Sequence, residues 1–426
     1  MTALPEIGRA HVIHIGVSVE LMSSRFSDTV ERNLLLDVFG ALSFVDFRHL
    51  VRLAIFFMED DELPSVGPYV TIDAPASVFG LNHSFKPPLE ELYLMRYHLP
   101  LESHIFSASL RVLSLVNVRC WETYNDLLDC LRRTPNLEIL YYHTTGEGDG
   151  SEDLTLGLNL SRQTSHSVVH LPRLRELYVG SRLLLAIAAY ALLDIPSSTM
   201  VDLYGGSDEQ MVPELNNAIS RHCAVYETAL RRQFGSDGLP FKMVSIWFCS
   251  LRGFTLTAMD ALSAQDPRRE HTLPRGGFNL TTHFLLHGSP SFMDVCLSLP
   301  TFNQCTTVGI HGSMEQSIFE TLYRKFPALE QFDLMKPNDV ESFVHMLSIE
   351  PSLRRPLRVF CQESCEFDKD SSLLKTLVDA MCSLASSTVL DLSACTLESE
   401  LLLYAHNMLG SDHLMFTPTV ENSASH

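Results

Sequence analysis

The chain has 426 residues, of which 46% are hydrophobic and 19% are charged, and its formal net charge is −20. This much apolar material can form a continuous core, which excludes a globally disordered protein. The chain has 51 acidic residues and 31 basic ones. The resulting negative charge repels phosphate backbones, so we expect no nucleic-acid partner. No stretch approaches the ~20 apolar residues that span a bilayer, and the first residues lack the pattern of a secretory signal. We therefore expect no membrane partner and a location in the cytoplasm or nucleus.

A short phrase, L-x-x-L-x-L, recurs along the chain. In such a phrase the three apolar positions turn inward from a short strand, and the residues between them face outward. The clear copies are LVRLAI at Leu50, LEELYL at Leu89, LRVLSL at Leu110, LEILYY at Leu137, LRELYV at Leu174 and LEQFDL at Leu329. One such unit cannot bury its own apolar side, so successive units must stack on one another.

Weaker copies extend the series to both ends of the chain. Together, the strand cores are predicted to begin near Ala10, Leu50, Leu89, Leu110, Leu137, Leu174, Ser198, Met243, Thr281, Cys305, Leu329, Leu357 and Ser387. A further short strand is expected near Ile72. The steps range from 21 to 45 residues, and several match the roughly 20–29 residues of a leucine-rich repeat.

Between the strands, the apolar residues change to a helical spacing. Helices are predicted at residues 126–133, before Pro135, and at residues 316–326, before Pro327. The longest is predicted at residues 208–234, either as a lengthened repeat helix on the convex side or as a dimerisation helix.

These patterns predict an α/β fold, an irregular leucine-rich-repeat solenoid or horseshoe. Its parallel strands would line the concave face and its helices the convex face. The solenoid is expected over residues 1–416, with about 11–13 repeats. Residues 417–426 would form a disordered tail.

The sequence lacks the motifs of a phosphate loop, a zinc-binding catalytic helix and a nucleophile elbow. Three residue pairs have the chemistry of metal ligands: His11 with His14, Cys361 with Cys365, and His283 with His287. Each pair supplies at most half of a tetrahedral zinc site, and the ten cysteines, without a C-x-x-C pair, are expected to be free. We predict no enzyme, no metal and no cofactor. The alternative is an enzyme carried by residues 208–288, which would need titratable groups converging in a closed pocket.

Tyr93, Tyr141 and Tyr178 occupy the same outward slot of their phrases, and Ser114 occupies that slot between the first two. Because equal slots align across a parallel sheet, Tyr141 and Tyr178 should be neighbours. Exposed tyrosines flanked by charges are typical anchors of protein interfaces, although tyrosine also simply suits a strand. The predicted partner-binding site consists of Tyr93, Tyr141, Tyr178, Glu90, Arg111, Glu138 and Arg175, with Glu91 and Glu176 beside it.

Three stretches carry a family resemblance: PPLEELYLMRYHLP at residues 87–100, HLPRLRELYVGS at residues 170–181 and LLDIPSSTMVDLYG at residues 192–205. They resemble the leucine-rich-repeat region of F-box proteins of mushroom-forming fungi. In that family the repeats hold a protein substrate, and an F-box docks on the Skp-type adaptor of a cullin ubiquitin ligase. The resemblance therefore implies a substrate receptor of a ubiquitin ligase.

Two departures from the family pattern are visible. Residues 4–7 read LPEI, which is similar to the opening of an F-box, but Gly8 and a strand-like segment follow. We therefore expect the adaptor-binding half to be lost, truncated or encoded upstream. Cys395 alone occupies the asparagine-or-cysteine position of the repeats, three residues past the last core leucine. The expected function is non-enzymatic protein–protein recognition, with an adaptor-free scaffold or a degenerate paralogue as the alternative.

Overall fold

The computed structural model describes much of the chain, which clusters into two compact units, Met1–Gln233 and Phe234–His426. The described residues are 9–18, 49–58, 72–73, 88–95, 97–98, 105–118, 124–144, 168–206, 215–235, 241–249, 253–259, 277–282, 295, 297–311, 322–349, 357–367, 369–383 and 388–416. A single solenoid over residues 1–416 stays a prediction, and residues 417–426 lie outside the described part.

Most strands of the first unit form a parallel array. Its strands are β1 (Val12–Ser18), β2 (Arg52–Met58), β3 (Ile72–Asp73), β4 (Glu91–Met95), β5 (Tyr97–His98), β6 (Val112–Val116), β7 (Ile139–His143), β8 (Val169–His170), β9 (Glu176–Arg182), β10 (Leu193–Asp194) and β11 (Met200–Gly206). The order β1-β2-β4-β6-β7-β9-β11 follows the chain, and every neighbouring pair in it is parallel. The short strands β3 with β5 and β8 with β10 form two separate parallel pairs.

The second unit combines an antiparallel part with a parallel part. Its strands are β12 (Met243–Cys249), β13 (Gly253–Met259), β14 (Phe278–Thr282), β15 (Thr307–His311), β16 (Gln331–Leu334), β17 (Arg358–Cys361), β18 (Val389–Asp391) and β19 (Leu414–Met415). Their order is β14-β13-β12-β15-β16-β17-β18-β19. The pairs β12–β13 and β13–β14 are antiparallel, and the pairs from β12–β15 to β18–β19 are parallel.

Helices lie between many of the strands. They are α1 (Tyr124–Arg133), α2 (Leu183–Ala191), α3 (Leu215–Phe234), α4 (Pro337–Ile349), α5 (Ser371–Cys382) and α6 (Ser399–Leu409), with 3-10 turns at Pro300–Gln304 and Glu363–Cys365. In α1, Asp126 lies in the first turn and Arg132 and Arg133 in the last, which suits the helix dipole. Its apolar stripe of Leu127, Leu128 and Leu131 is buried. Among the described helices, none is long and apolar enough to span a membrane.

The strands alternate between a buried side and a partly exposed side, as the repeated phrase predicts. In β4 and β6, Leu92, Leu94, Leu113 and Leu115 are buried, whereas Tyr93 and Ser114 are only half-buried. Burying one such leucine contributes about 1.5–3 kcal/mol. A one-residue slip would expose the whole set, so this alternation determines the register.

A repeated backbone bridge joins the starts of successive strands. The carbonyl of Glu90 accepts from the amides of Arg111 and Val112, at 2.7 and 2.9 Å. In the second unit, the carbonyl of Thr306 accepts in the same way from Glu330 and Gln331, at 2.8 and 2.9 Å. The L-x-x-L-x-L phrases therefore enter their strands by a common local geometry.

The long helix α3 packs on its own unit. The guanidinium of Arg232 donates to the carbonyls of Ala191 and Leu193, at 2.7 Å each, and so satisfies the end of α2. The hydroxyl of Tyr190 donates to the Gln233 side chain at 2.6 Å. These contacts favour the repeat-helix interpretation over a dimerisation helix. Residues 208–214, the start of the predicted helix, lie outside the described part, and of the helix predicted at 316–326 only residues 322–325 are described as helical.

Each predicted strand core lies in or just before an observed strand. The prediction of parallel strands throughout is wrong between β12 and β14. Only residues 250–252 separate β12 from β13, whereas a parallel crossover needs about a dozen residues or more. The strand predicted near Thr281 is therefore the antiparallel partner of β13, which the sequence analysis missed. The strand expected near Ile72 is β3.

Candidate functional site

The predicted tyrosine slot is a continuous row across the sheet of the first unit. Tyr93, Ser114, Tyr141, Tyr178 and Asp202 are successive register partners on β4, β6, β7, β9 and β11. Their side chains are half-buried, while the residues before and after each of them in the strand are mostly buried. The side of the sheet that carries this row is called here the tyrosine face.

The predicted neighbours Tyr141 and Tyr178 stack on each other. Their ring centroids lie 4.2 Å apart, with an angle of 5° between the planes. Adjacent parallel strands, about 4.8 Å apart, bring equal slots to this separation. Burial raises the pKa of Tyr178, and the nearby Tyr141 and Asp202 raise it further, so its hydroxyl stays neutral at physiological pH.

Two more aromatic residues, which the sequence analysis missed, extend the stack. His143 and Tyr204 are register partners of Gly180, two positions beyond the tyrosine slot. The His143 ring lies 6.1 Å from the Tyr178 ring and 6.4 Å from the Tyr204 ring, between centroids. Tyr141, His143, Tyr178 and Tyr204 form what is called here the aromatic cluster. Burial lowers the pKa of His143, which favours the neutral imidazole.

Gly180 makes room for the aromatic cluster. A Cβ atom at this position would lie 2.4 Å from Cδ2 of His143 and 3.0 Å from the Tyr178 ring. Such distances are far below van der Waals contact, so any larger residue would push the His143 ring away. The sequence does contain a signal for this arrangement. Residues 143, 180 and 204 each lie two places after a slot residue, so equal positions in the parallel sheet would align them.

Tyr93 belongs to a separate group of contacts on the same face. The Arg52 guanidinium lies 4.8 Å from the centre of the Tyr93 ring, a cation–π distance. Arg52 also lies 3.4 Å from the Glu91 carboxylate, which accepts a hydrogen bond from the Tyr93 hydroxyl at 3.2 Å. Because Ser114 separates Tyr93 from Tyr141, the structure does not bring Tyr93 into the aromatic cluster.

The four predicted charged residues form a row of their own at the amino ends of the strands. This rim row runs from Glu90 to Arg111 (3.4 Å), from Arg111 to Glu138 (2.8 Å) and from Glu138 to Arg175 (3.5 Å). The hydrogen bond from Arg111, together with the charges of Arg111 and Arg175, lowers the pKa of Glu138 despite some burial. The rim row is thus paired along its length and borders the tyrosine face.

In the second unit, three of the five residues in the corresponding slot are polar. Ser245, Gly309, Asp333, Phe360 and Asp391 are successive register partners, called here the polar row. The amide of Gln331 donates to Asp333 at 2.6 Å, but burial dominates and raises the pKa of this carboxyl.

Asp391 in the polar row has a fully buried side chain. Burial opposes its ionisation, yet hydrogen bonds from Arg358 and the Ser393 amide together lower its pKa. The Nε atom of Arg358 and the Ser393 amide lie 3.0 and 2.9 Å from its oxygens. The charge of Asp391 is therefore neutralised within the second unit, by Arg358.

Of the candidate metal ligands, Cys361 and Cys365 lie within hydrogen-bond distance of each other, but they form only a pair. In the described part of the chain, no group of three His, Cys, Asp or Glu residues is arranged to hold a metal ion. His11 and His14 are exposed, and His283 and His287 lie outside the described residues.

The buried cysteines of the second unit are free and bridge repeats. The thiol of Cys395 donates to the carbonyl of Cys361 at 3.2 Å, and that of Cys365 to the carbonyl of Leu334 at 3.3 Å. Burial raises the pKa of Cys395 to about 12, so its thiolate is scarcely populated at neutral pH. These contacts give both cysteines a structural role.

The chain matches no protein-family model. A search of curated proteins finds no significant relative either.

Proposed function

We propose that this chain is an irregular leucine-rich-repeat protein that recognises another protein through the tyrosine face. The observation that carries the proposal is the aromatic cluster, half-buried on a sheet face and built on three adjacent strands. Tyrosine is enriched among the residues that dominate binding energy in protein interfaces.

The repeat architecture is supported by three features. The strands of the first unit follow the chain order in parallel, the carbonyl bridges recur from strand to strand, and the Cys395 thiol bonds to the preceding repeat. In a solenoid such a face would be the concave one, which repeat proteins use for binding.

The aromatic cluster is held in place before any partner arrives. The Tyr141–Tyr178 stack and the close fit of His143 over Gly180 restrict the rings. Binding to ordered side chains loses less conformational entropy, so more of the contact energy remains as affinity.

The resemblance to fungal F-box proteins extends the proposal to a role. The partner would then be a protein held for ubiquitination, and a Skp-type adaptor would bind a separate F-box. Without an F-box the same face would serve an adaptor-free scaffold. The compartment would be the cytoplasm or nucleus, and the chain would have no catalytic activity.

Affinity capture of the full chain tests the proposal. Tyr178→Ala and Tyr141→Ala should each reduce recovery of the bound protein about tenfold or more, because each removes half of the stack. Tyr404→Ala is the matched control, since it removes a half-buried tyrosine from α6 in the second unit. Circular dichroism must show that all variants are folded.

Equal capture by the parent, Tyr404→Ala and Tyr178→Ala would reject the tyrosine face as the binding surface. Tyr178→Phe keeps the ring and should retain most of the capture. A Skp-type adaptor would bind a surface other than the tyrosine face, so Tyr178→Ala should not release it. Recovery of such an adaptor with both the parent and Tyr178→Ala would support a role in a ubiquitin ligase.

A further inference from the structure

The tyrosine face carries the same local motif twice. The tripeptide Glu-Leu-Tyr occurs at residues 91–93 on β4 and at residues 176–178 on β9. In both copies the glutamate and the tyrosine lie two residues apart on one strand, so they point to the same side of the sheet. The two copies can therefore be compared position by position.

In the first copy a guanidinium completes the motif. Arg52, the register partner of Glu91 on β2, lies 3.4 Å from the Glu91 carboxylate. Its guanidinium lies 4.8 Å from the centre of the Tyr93 ring. One cation thus pairs with the carboxylate and stacks on the aromatic ring at the same time.

In the second copy that guanidinium is not supplied by the neighbouring strand. The register partner of Glu176 on β7 is Ile139, where β2 carries Arg52. Glu176 is exposed, and within the described part of the chain its carboxylate has no hydrogen bond or ion pair. The Arg182 side chain, further along β9, lies outside that part.

The surroundings of the second copy suit a cation. Asp202 on β11 is the register partner of Tyr178, so a second carboxylate lies on the side of Tyr178 that Tyr141 does not cover. Among the described residues, the tyrosine face carries three acidic side chains, Glu91, Glu176 and Asp202, and one arginine, Arg52. His143 favours its neutral form, and the net charge of −20 attracts basic partners over a distance.

We infer that the partner of the tyrosine face is a basic protein segment whose arginine pairs with Glu176 and contacts the Tyr178 ring from the side of β11. Tyr141 already covers the other side of that ring, the side that corresponds to the position of Arg52 at Tyr93. The inference rests on the proposed function and names the chemistry of the partner. Arginine fits better than lysine, because its planar guanidinium pairs with a carboxylate and stacks on a ring together.

Selection from a displayed library of random linear peptides, with the full chain as the target, tests the inference. Peptides that bind the parent but not Tyr178→Ala should share an arginine. Synthetic copies should lose about fivefold or more in affinity when that arginine is replaced by citrulline, the neutral isostere, or when Glu176→Gln is the target. Glu330→Gln changes an exposed glutamate just before β16 in the second unit; it is the matched control and should bind as the parent does.

The outcomes separate the two proposals. Peptides that depend on Tyr178 but carry no basic residue, or that ignore Glu176→Gln, would overturn the basic partner and leave the binding face intact. A selection without any Tyr178-dependent peptide would reject both. Higher salt should weaken the arginine peptides more than their citrulline copies, because part of the attraction is ionic.

Discussion

The tyrosine face of the first unit and the polar row of the second occupy the same slot of the same repeated strand, yet they differ in how they use it. In the first unit the slot carries Tyr93, Tyr141 and Tyr178, whose rings are half-buried. In the second unit it carries Asp333 and Asp391, whose carboxylates accept hydrogen bonds from Gln331 and Arg358. One backbone scaffold can therefore present aromatic surface in one region and satisfy buried charge in another.

The two regions differ in whether their side chains need partners within the protein. In the polar row the Asp391 carboxylate is paired inside the unit, because a buried carboxylate must be paired to remain ionised. The aromatic cluster has no such requirement, so its rings can stay half-exposed without an electrostatic penalty. We expect substitutions in the polar row to change stability most, and substitutions in the aromatic cluster to change binding most.

The largest effect on stability is expected from Arg358→Met, which removes the cation that pairs with Asp391 of the polar row. It leaves the Asp391 carboxylate buried without its cation, at a cost of about 3 kcal/mol in the free energy of unfolding, the low end for a buried pair because Arg358 is half-exposed. Urea denaturation of the full chain, followed by circular dichroism, measures it. Adding Asp391→Asn, which removes the charge, should restore most of the loss.

The same pair predicts the pH dependence of that loss. In the parent the Asp391 pKa lies below its ordinary value of about 3.9. Its contribution to stability is therefore present above about pH 4 and is lost as the pH falls through the lowered pKa. The gap between the parent and Arg358→Met should shrink towards pH 3, and a gap of the same size at pH 7 and pH 3 would contradict the pairing.

An intermediate effect is expected from Gly180→Ala, next to the aromatic cluster. The added methyl would meet the His143 ring, and such overpacking costs about 1–2 kcal/mol. The double variant with His143→Ala removes the colliding ring and is the matched control for the collision. Equal denaturation midpoints for Gly180→Ala and the parent would show that the ring moves freely, and that the cluster is not held rigidly.

The smallest effect is expected from Glu138→Gln in the rim row. Its partners Arg111 and Arg175 are largely exposed, so solvent and salt screen the ion pairs, and the shift in the midpoint should be slight. Because the Glu138 pKa is lowered, the shift should be present above about pH 4.3 and vanish as the pH falls through the lowered value. A shift that persists in 1 M NaCl would contradict screened pairing.

Much of the parallel part of the fold could be predicted from the sequence. The L-x-x-L-x-L phrase is a local signal, and a strand follows each of its clear copies, namely β2, β4, β6, β7, β9 and β16. The prediction failed where chain length between strands, rather than the apolar pattern, decides the pairing. The three residues between Cys249 and Gly253 are too few for a parallel crossover, so β12 and β13 pair in antiparallel fashion, and β13 lacks the phrase.

The candidate site was predictable to a similar degree. Equal slots in a parallel sheet predict that Tyr141 and Tyr178 are neighbours, and this is confirmed. The rim residues do come together, but their charges pair with one another, which slot positions alone do not reveal. His143 and Tyr204 were missed because their position two residues after the slot is informative only together with Gly180, which lies between them in the sheet.

The sequence by itself determined which residues of each strand face the same way, because the period of a strand and the repeated phrase are local properties of the chain. Only the tertiary structure decided which of those residues meet a stacking ring, a guanidinium or empty space. That outcome depends on the residue supplied by the neighbouring strand, and the Glu-Leu-Tyr motif has Arg52 as its neighbour in one copy and Ile139 in the other.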